Sequence, residues 1–295
     1  MKSKIAMFLM NKKGYLILEN FINRYGIDPI DVIIISRDPN VQKDYYLEIR
    51  DLCLKNGVRV LDRLEIDNSL FENQIAFAIG WRWIINNVNQ LIVFHDSLLP
   101  RYRGFAPLVN ALINKEIQIG VTALFATTDY DKGDIIAQES LTISYPIKIE
   151  DAIAKIADLY ILLVNKITCD ILEEKAIVGV PQNEKEASYS LWRDEQDYLI
   201  DWSMESEYIQ RFIDATGFPY KGAATFLNGK KVRIVESIPI QDVLIENRTP
   251  GKVIFFENKN PIVVCGKGLL KIQSIIDDET GKELLPLNKF RIRFE

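Results

Sequence analysis

With 295 residues, 48% hydrophobic and 26% charged, the chain has length for one large domain or a large and a small one, and enough apolar content for a sizeable core. A formal charge of −5 and a pI near 5.3 argue against a nucleic-acid-binding face as the main business of the surface. The longest apolar runs fall short of a bilayer span, and the run from Ile5 to Met10 is too short for a signal core, so a cytoplasmic protein without a membrane partner is expected. Cys53, Cys169 and Cys265 lie far apart, with no C-x-x-C pair and no metal pattern; reduced thiols and no metal site are expected.

Short apolar runs alternate with helical patterns over roughly the first 175 residues, which predicts an α/β domain with a mostly parallel sheet. Ile5–Met10 reads as a strand and Tyr15–Arg24 as a helix. Asp31–Ile35 is a continuous β-branched run, as expected of a strand buried on both faces. Tyr45–Asn56 reads as a helix with Gly57 as its stop. Strands follow at 58–61, 74–79, 91–95, 121–126 and 135–143. Residues 150–174 form the clearest helix, with Ile153, Ile156, Tyr160, Leu163, Ile167 and Ile171 on one stripe and an acidic start that suits the helix dipole.

After about residue 180 the texture changes. Residues 181–190 are polar and read as linker, and 205–216 as a short helix ended by Gly217. Asn228-Gly229-Lys230 between two apolar runs is a hairpin signal, and further short strands at 252–257, 262–265 and 269–276 predict a small β-barrel-like domain.

His95 is the only histidine. It closes a predicted strand, and in open α/β sheets ligands bind beyond the carboxyl ends of strands. On that ground alone it is either a base for neutral-pH chemistry or a structural histidine at a strand end. The residues around it decide between these. His95-Asp96-Ser97-Leu98-Leu99-Pro100-Arg101-Tyr102-Arg103-Gly104, followed by Ala106-Pro107, closely resembles the signature of the folate-dependent formyltransferases. Gly120-Val121-Thr122 and Asp131-Lys132-Gly133-Asp134-Ile135 match two further elements of that family, in the expected order. In the second half, Ile200-Asp201-Trp202, Pro219-Tyr220-Lys221-Gly222-Ala223 and Thr249-Pro250-Gly251 resemble the extended members, among which the nucleotide-sugar N-formyltransferases are most similar.

The resemblance implies a Rossmann-like formyltransferase domain over 1–180, a linker over 181–204, and a C-terminal helix plus small OB-like β domain over 205–295. It implies N10-formyltetrahydrofolate as formyl donor, with His95 accepting the proton of the attacking amine or stabilising the oxyanion, and Asp131 holding the imidazole and assisting proton transfer. Gly133 lets the loop turn, and Asp134 is either catalytic support or a loop carboxylate bonding the backbone. Trp81, Arg82 and Trp83 fall in the segment that shapes the family's folate pocket, with core packing as the alternative for the indoles and a plain surface position for Arg82. Ser97, Arg103 and Gly104 fall toward the acceptor, with local turn-building as the alternative for Ser97. Lys13 either approaches an acceptor phosphate or belongs to a solvated loop. Trp192, Arg193, Tyr198 and Trp202 are candidates for the nucleotide-sugar site, with packing as the alternative.

One position departs from the family pattern. Two residues before the histidine the family carries an asparagine that donates to the oxyanion; here that position is Val93, which leaves a compensated site, a slow enzyme or a weakened binding protein as alternatives. The second half disfavours the purine-pathway branch, and the acidic balance disfavours tRNA, as does Asp214 where tRNA enzymes tend to carry arginine. The expected acceptor is therefore a 4-amino-4,6-dideoxy sugar on UDP or dTDP, of the kind used for surface polysaccharides or pseudaminic acid. Methionyl-tRNA is the alternative, and a homodimer is left open.

Overall fold

The computed structural model describes residues 4–66, 75–86, 88–287, 289 and 291–295. Strand β1 (Ile5–Leu9) is buried at every position, and α1 (Asn11–Tyr25) begins two residues after it. Strand β2 (Ile30–Ile35), α2 (Tyr46–Asn56) and β3 (Val60–Asp62) complete the first half of a doubly wound arrangement. Gly57 ends α2 at φ 69°, the left-handed cap that its position in the sequence predicts. Strands β4 (Ile75–Ile79) and β5 (Gln90–His95) follow; Gln74, expected to open β4, lies outside the described residues. Next come β6 (Arg103–Gly104), α3 (Pro107–Ile113), β7 (Gln118–Phe125), β8 (Ile135–Thr142), α4 (Ile149–Leu172) and β9 (Tyr189–Ser190).

The main sheet has the order β3-β2-β1-β4-β5-β7-β8, with the first five strands parallel and β7 and β8 antiparallel. Strand order reverses between β1 and β4, so their carboxyl ends border the switch point, and His95 ends the next strand along. On one face Phe94 packs on Tyr160 of α4, and α4 neighbours α1 through Asn165 and Asn20. On the other face Ala6, Phe8, Val32, Ile34 and Ala76 form a cluster with Trp81 and Leu91 against it. The predicted stripe of α4 is buried throughout.

The chain divides into two units, one of Met1–Leu108, Ile117–Ile143 and Asp151–Leu191, the other of Val109–Glu116, Ser144–Glu150 and Trp192–Glu295. The second contains α5 (Ser206–Thr216), β10 (Ala223–Leu227), β11 (Lys230–Ile240), β12 (Val253–Glu257), β13 (Asn260–Val264) and β14 (Leu269–Asp277). These strands form an antiparallel sheet in the order β10-β11-β14-β13-β12, with α5 packed on β10, β11 and β14. Asn228 and Gly229, at φ 52° and 75°, make the predicted hairpin. The last residues bridge both edges of this sheet. Phe294 pairs with Leu227 at the end of β10 and Arg293 with Lys252 before β12.

Candidate active site

Successive residues of a strand point to opposite faces, so His95 and Phe94 part company at the end of β5. The His95 ring lies under the loop that follows, 8% exposed. That loop is clamped from below by Thr122, which is in register with His95 on the neighbouring strand. The Thr122 hydroxyl donates to Ser97 O at 2.6 Å and accepts from the Leu99 N–H at 3.1 Å and from Gln138 Nε2 at 2.8 Å. A Cβ on Gly120 would meet Leu98 and Glu139 O at 2.5 Å, so the Gly-Val-Thr element is the bed on which the His95 loop lies.

Both ring nitrogens of His95 face acceptors. Nε2 lies 2.8 Å from the Tyr102 carbonyl, and Nδ1 lies 3.5 Å from Asp131 Oδ1. A carbonyl can only accept, so the network assigns a hydrogen to Nε2 and makes Nδ1 the atom at which a proton comes and goes. The second oxygen of Asp131 accepts from the Gly104 N–H at 2.8 Å. Tyr102 and Asp131 both adopt left-handed backbone, at φ 59° and 54°, and each is held there from several sides. The Tyr102 N–H donates to Ser188 Oγ at 2.9 Å, and Gln182 Nε2 donates to both Asp131 O (2.7 Å) and Gly133 O (2.8 Å). A Cβ on Gly133 would stand 1.7 Å from Phe125 O, so no other residue fits that turn.

Arg103 is fully buried. Its guanidinium bonds Gln182 Oε1 at 2.7 and 3.0 Å and both oxygens of Glu184 at 2.7 and 2.9 Å, with Tyr189 OH at 3.3 Å. It thus orients Gln182, which in turn holds the Asp131 loop. Ser97 is buried with its hydroxyl on Arg101 O at 2.7 Å, a turn-building contact. Gly104, at φ 96°, pairs with Ser190 of β9 and leaves no space for a side chain there, since a Cβ would come 2.6 Å from Ser190 O. Asp134 is exposed, and its carbonyl accepts from the Phe125 N–H at 3.0 Å.

The remaining candidates fall in three other places. Lys13 forms an ion pair with Asp96. Arg82 pairs with the buried Asp38 at 2.9 Å, while Trp81 packs edge-on against Phe8 and Trp83, and Arg63 lies over the Trp83 ring. In the second unit Trp192 is 59% exposed, whereas Tyr198 and Trp202 are buried. The Trp202 indole donates to Thr225 Oγ1 at 3.0 Å and packs on Phe294. Arg193 bonds Asn110 Oδ1 at 2.8 Å and Asp197 O at 3.1 Å. The structure therefore gathers His95, Asp131, Gly104 and Gly133 at one point, with Arg103 behind them, and scatters the aromatic candidates of the second half.

Val93 is half-buried in β5, in register with Ala78 and Leu124, and supplies no donor. From the sequence no site role falls to Tyr102, Gln182, Asp96 or Tyr160, although three of them lie within its motifs and helix stripe. Gln182 sits in a polar stretch that carries no periodic signal, and the site uses Tyr102 through its backbone carbonyl, which residue type does not reveal.

Residues 80–161 match the family described as Formyl transferase, and residues 193–290 match its C-terminal domain. The bifunctional polymyxin resistance protein ArnA of Wigglesworthia glossinidia brevipalpis is 30% identical, over 92% of this chain and 42% of its own length. The methionyl-tRNA formyltransferase of Alkaliphilus oremlandii is 32% identical, over 61% of this chain and 57% of its own. The chain thus spans about half the length of these curated relatives. The N-formyltransferase of Helicobacter canadensis, solved with folinic acid and dTDP-3-aminofucose, shares the fold with a TM-score of 0.68 at 19% identity, over 92% of this chain and 99% of that one. With both domains matched in order, and with the family's histidine and aspartate elements meeting at one point of the fold, the chain belongs to the formyltransferase family.

Proposed function

We propose that this protein transfers a formyl group from N10-formyltetrahydrofolate to the amino group of a nucleotide-linked 4-amino-4,6-dideoxy sugar, on UDP or dTDP, as a cytoplasmic enzyme of surface-polysaccharide or pseudaminic acid synthesis. The observation that carries the reading is the pairing of His95 Nδ1 with Asp131 behind a ring whose other nitrogen is committed to Tyr102. As the acceptor amine attacks, one N–H bond is lost and one N–C bond forms, while the formyl–N10 bond of the donor breaks and N10 takes up one proton. His95 Nδ1 takes the amine's proton, and Asp131 Oδ1 faces and stabilises the resulting imidazolium. Tyr102 O and the Gly104 N–H fix the two partners, so the proton has one place to go.

The formyl donor supplies a carbonyl carbon already activated for attack by an amine. One feature of the protein fits its flat heteroaromatic ring: Trp81 Nε1 is buried and has no hydrogen-bond partner among the described residues. It is a donor that needs an acceptor, in the segment with Arg82 and Trp83. We therefore assign Trp81, Arg82, Trp83, Asp131, Gly133 and Asp134 to the donor side. We assign Ser97 and Gly104 to the acceptor side.

Methionyl-tRNA is the second reading, favoured by the names of several sequence relatives and opposed by the net charge of −5. Folate release from N10-formyltetrahydrofolate, followed with UDP- and dTDP-linked 3-amino and 4-amino sugars and with methionyl-tRNA, separates the readings. Turnover with a 4-amino sugar nucleotide is expected. Turnover with methionyl-tRNA alone overturns the sugar assignment, and folate binding without turnover on any acceptor identifies a weakened relative.

A further inference from the structure

Asp96 follows His95 directly and points to the other face of the sheet, toward α1 and α4. There its carboxylate accepts from Lys13 Nζ and from the Tyr160 hydroxyl, and the same hydroxyl lies 3.0 Å from Phe94 O. Lys13 also lies over the Tyr160 ring, 5.2 Å from its centroid. The ion pair is well shielded, with side chains 12% and 17% exposed, and Tyr160 is fully buried. Three elements thus meet on the backbone next to the histidine: the first turn of α1, the end of β5 and the middle of α4. A lysine spent in this way is not free to hold a phosphate.

Two opposed charges, out of water and next to the only histidine, act on that histidine through space. Burial works against the charge of Asp96, but the Lys13 ammonium, the Tyr160 hydroxyl and His95 outweigh it and hold the carboxyl below its usual range. His95 already faces one carboxylate, Asp131, across 3.5 Å. A second uncompensated carboxylate at Asp96 would fix the proton on the ring, and an uncompensated ammonium at Lys13 would drive it off. We propose that the Lys13–Asp96 pair, oriented by Tyr160, is a charge-balanced positioning element for His95: it anchors the strand end and cancels its own field, leaving Asp131 as the carboxylate that governs the imidazole proton.

Because the chain has one histidine, its ring C–H resonances in an NMR titration report His95 without assignment work, and they do so whatever reaction the protein performs. The charged and titratable groups around the ring are Asp131, which faces it on the loop side, and Asp96, Lys13 and Tyr160 across the sheet. Lys13→Met leaves Asp96 bare and moves the midpoint up by about half a unit to one unit; Asp96→Asn leaves Lys13 bare and moves it down by about the same. The double variant returns it close to that of the native protein, and Lys13→Arg leaves it in place. Tyr160→Phe, which keeps the ring, broadens the His95 signal through loss of the anchor. Shifts of one sign in both single variants, or a double variant that does not return, overturn the proposal. Should a single variant fail to fold, the double variant and Lys13→Arg still decide: both must titrate like the native protein, and a shift in either refutes charge balance. In the pH profile of turnover the same opposed shifts are expected on the limb set by His95.

Discussion

Left-handed backbone occurs in both units of the molecule, on different kinds of residue. In the second unit's sheet it falls on Asn228, Gly229, Asn247, Asn258 and Lys259, mostly residues that tolerate it unaided. Around the site it falls on Tyr102, Ala106 and Asp131, two of which have no such tolerance. The hairpin of β10 and β11 closes on local turn chemistry. The site loops stay closed because Ser188, Gln182, Gly104 and Arg103 bind them from other parts of the chain. At the site, where two side chains must meet at a set distance, this backbone is held by long-range hydrogen bonds rather than by residue preference.

The largest expected effect breaks the site while leaving the frame intact. His95→Ala should reduce formyl transfer by about a thousandfold or more, the upper range for a lost acid–base group, with an unchanged far-UV spectrum. Activity above a few per cent would place the chemistry on another group. Asp131→Asn keeps size and the Gly104 contact geometry but removes the charge. Turnover should fall about a hundredfold, near 2.7 kcal/mol, with donor binding retained in a fluorescence titration.

A sharper test of the contrast between the two regions is Gln182→Leu. It removes the donor to Asp131 O and Gly133 O without touching the dyad, and it should lower kcat about tenfold through misplacement alone. Asn228→Ala in the second unit should leave kcat unchanged. Equal effects of the two on kcat would remove the distinction between locally and remotely held turns. Val93→Asn is expected to slow the enzyme rather than speed it. The half-buried position lies between Ala78 and Leu124 in the sheet, and an unpaired amide there costs roughly 1–3 kcal/mol, read as a lower Tm. A faster and equally stable variant would show that the site lacks a donor.

The smallest effect is a pH-dependent one in the second unit. Burial pushes the Asp214 carboxyl up to about 6, with Lys148 lowering it and Glu236 raising it. Its folded value lies above the unfolded one of about 4, so the cost of ionising it is absent below pH 4 and complete above pH 6. Asp214→Asn should therefore raise stability by about 1–2 kcal/mol at pH 7–8 and not at all at pH 4, as measured by thermal melts across that range. A gain independent of pH would mean that the carboxylate charge is not its source.

Much of the architecture was legible because it follows from short-range rules. The buried runs of β1 and β2, the stripe of α4, the Gly57 stop and the Asn228-Gly229 turn each announce themselves within a few residues, since hydrophobic periodicity and backbone tolerance are local properties. The same holds for His95 and Asp131, whose surrounding residues form elements long enough to be specific. The two-residue strands β6 and β9 were not legible, because they exist only through pairing with each other across a long stretch of chain. The stretch from 181 to 190 reads as polar linker, yet Gln182 and Ser188 lie within hydrogen-bond distance of the site loops.

By itself the sequence determined that the first unit is α/β, that the second is built from antiparallel strands, and that a histidine and an aspartate lie in two elements that the formyltransferase family shares. Only the tertiary structure decided which ring nitrogen of His95 faces Asp131 and which a backbone carbonyl, because that depends on Tyr102. It alone showed that Arg103 is consumed inside the protein and Lys13 on Asp96, since a cation looks the same in a sequence whether it faces solvent or a carboxylate. Proton position and charge pairing are set by groups brought together across many residues of chain, and no local pattern encodes them.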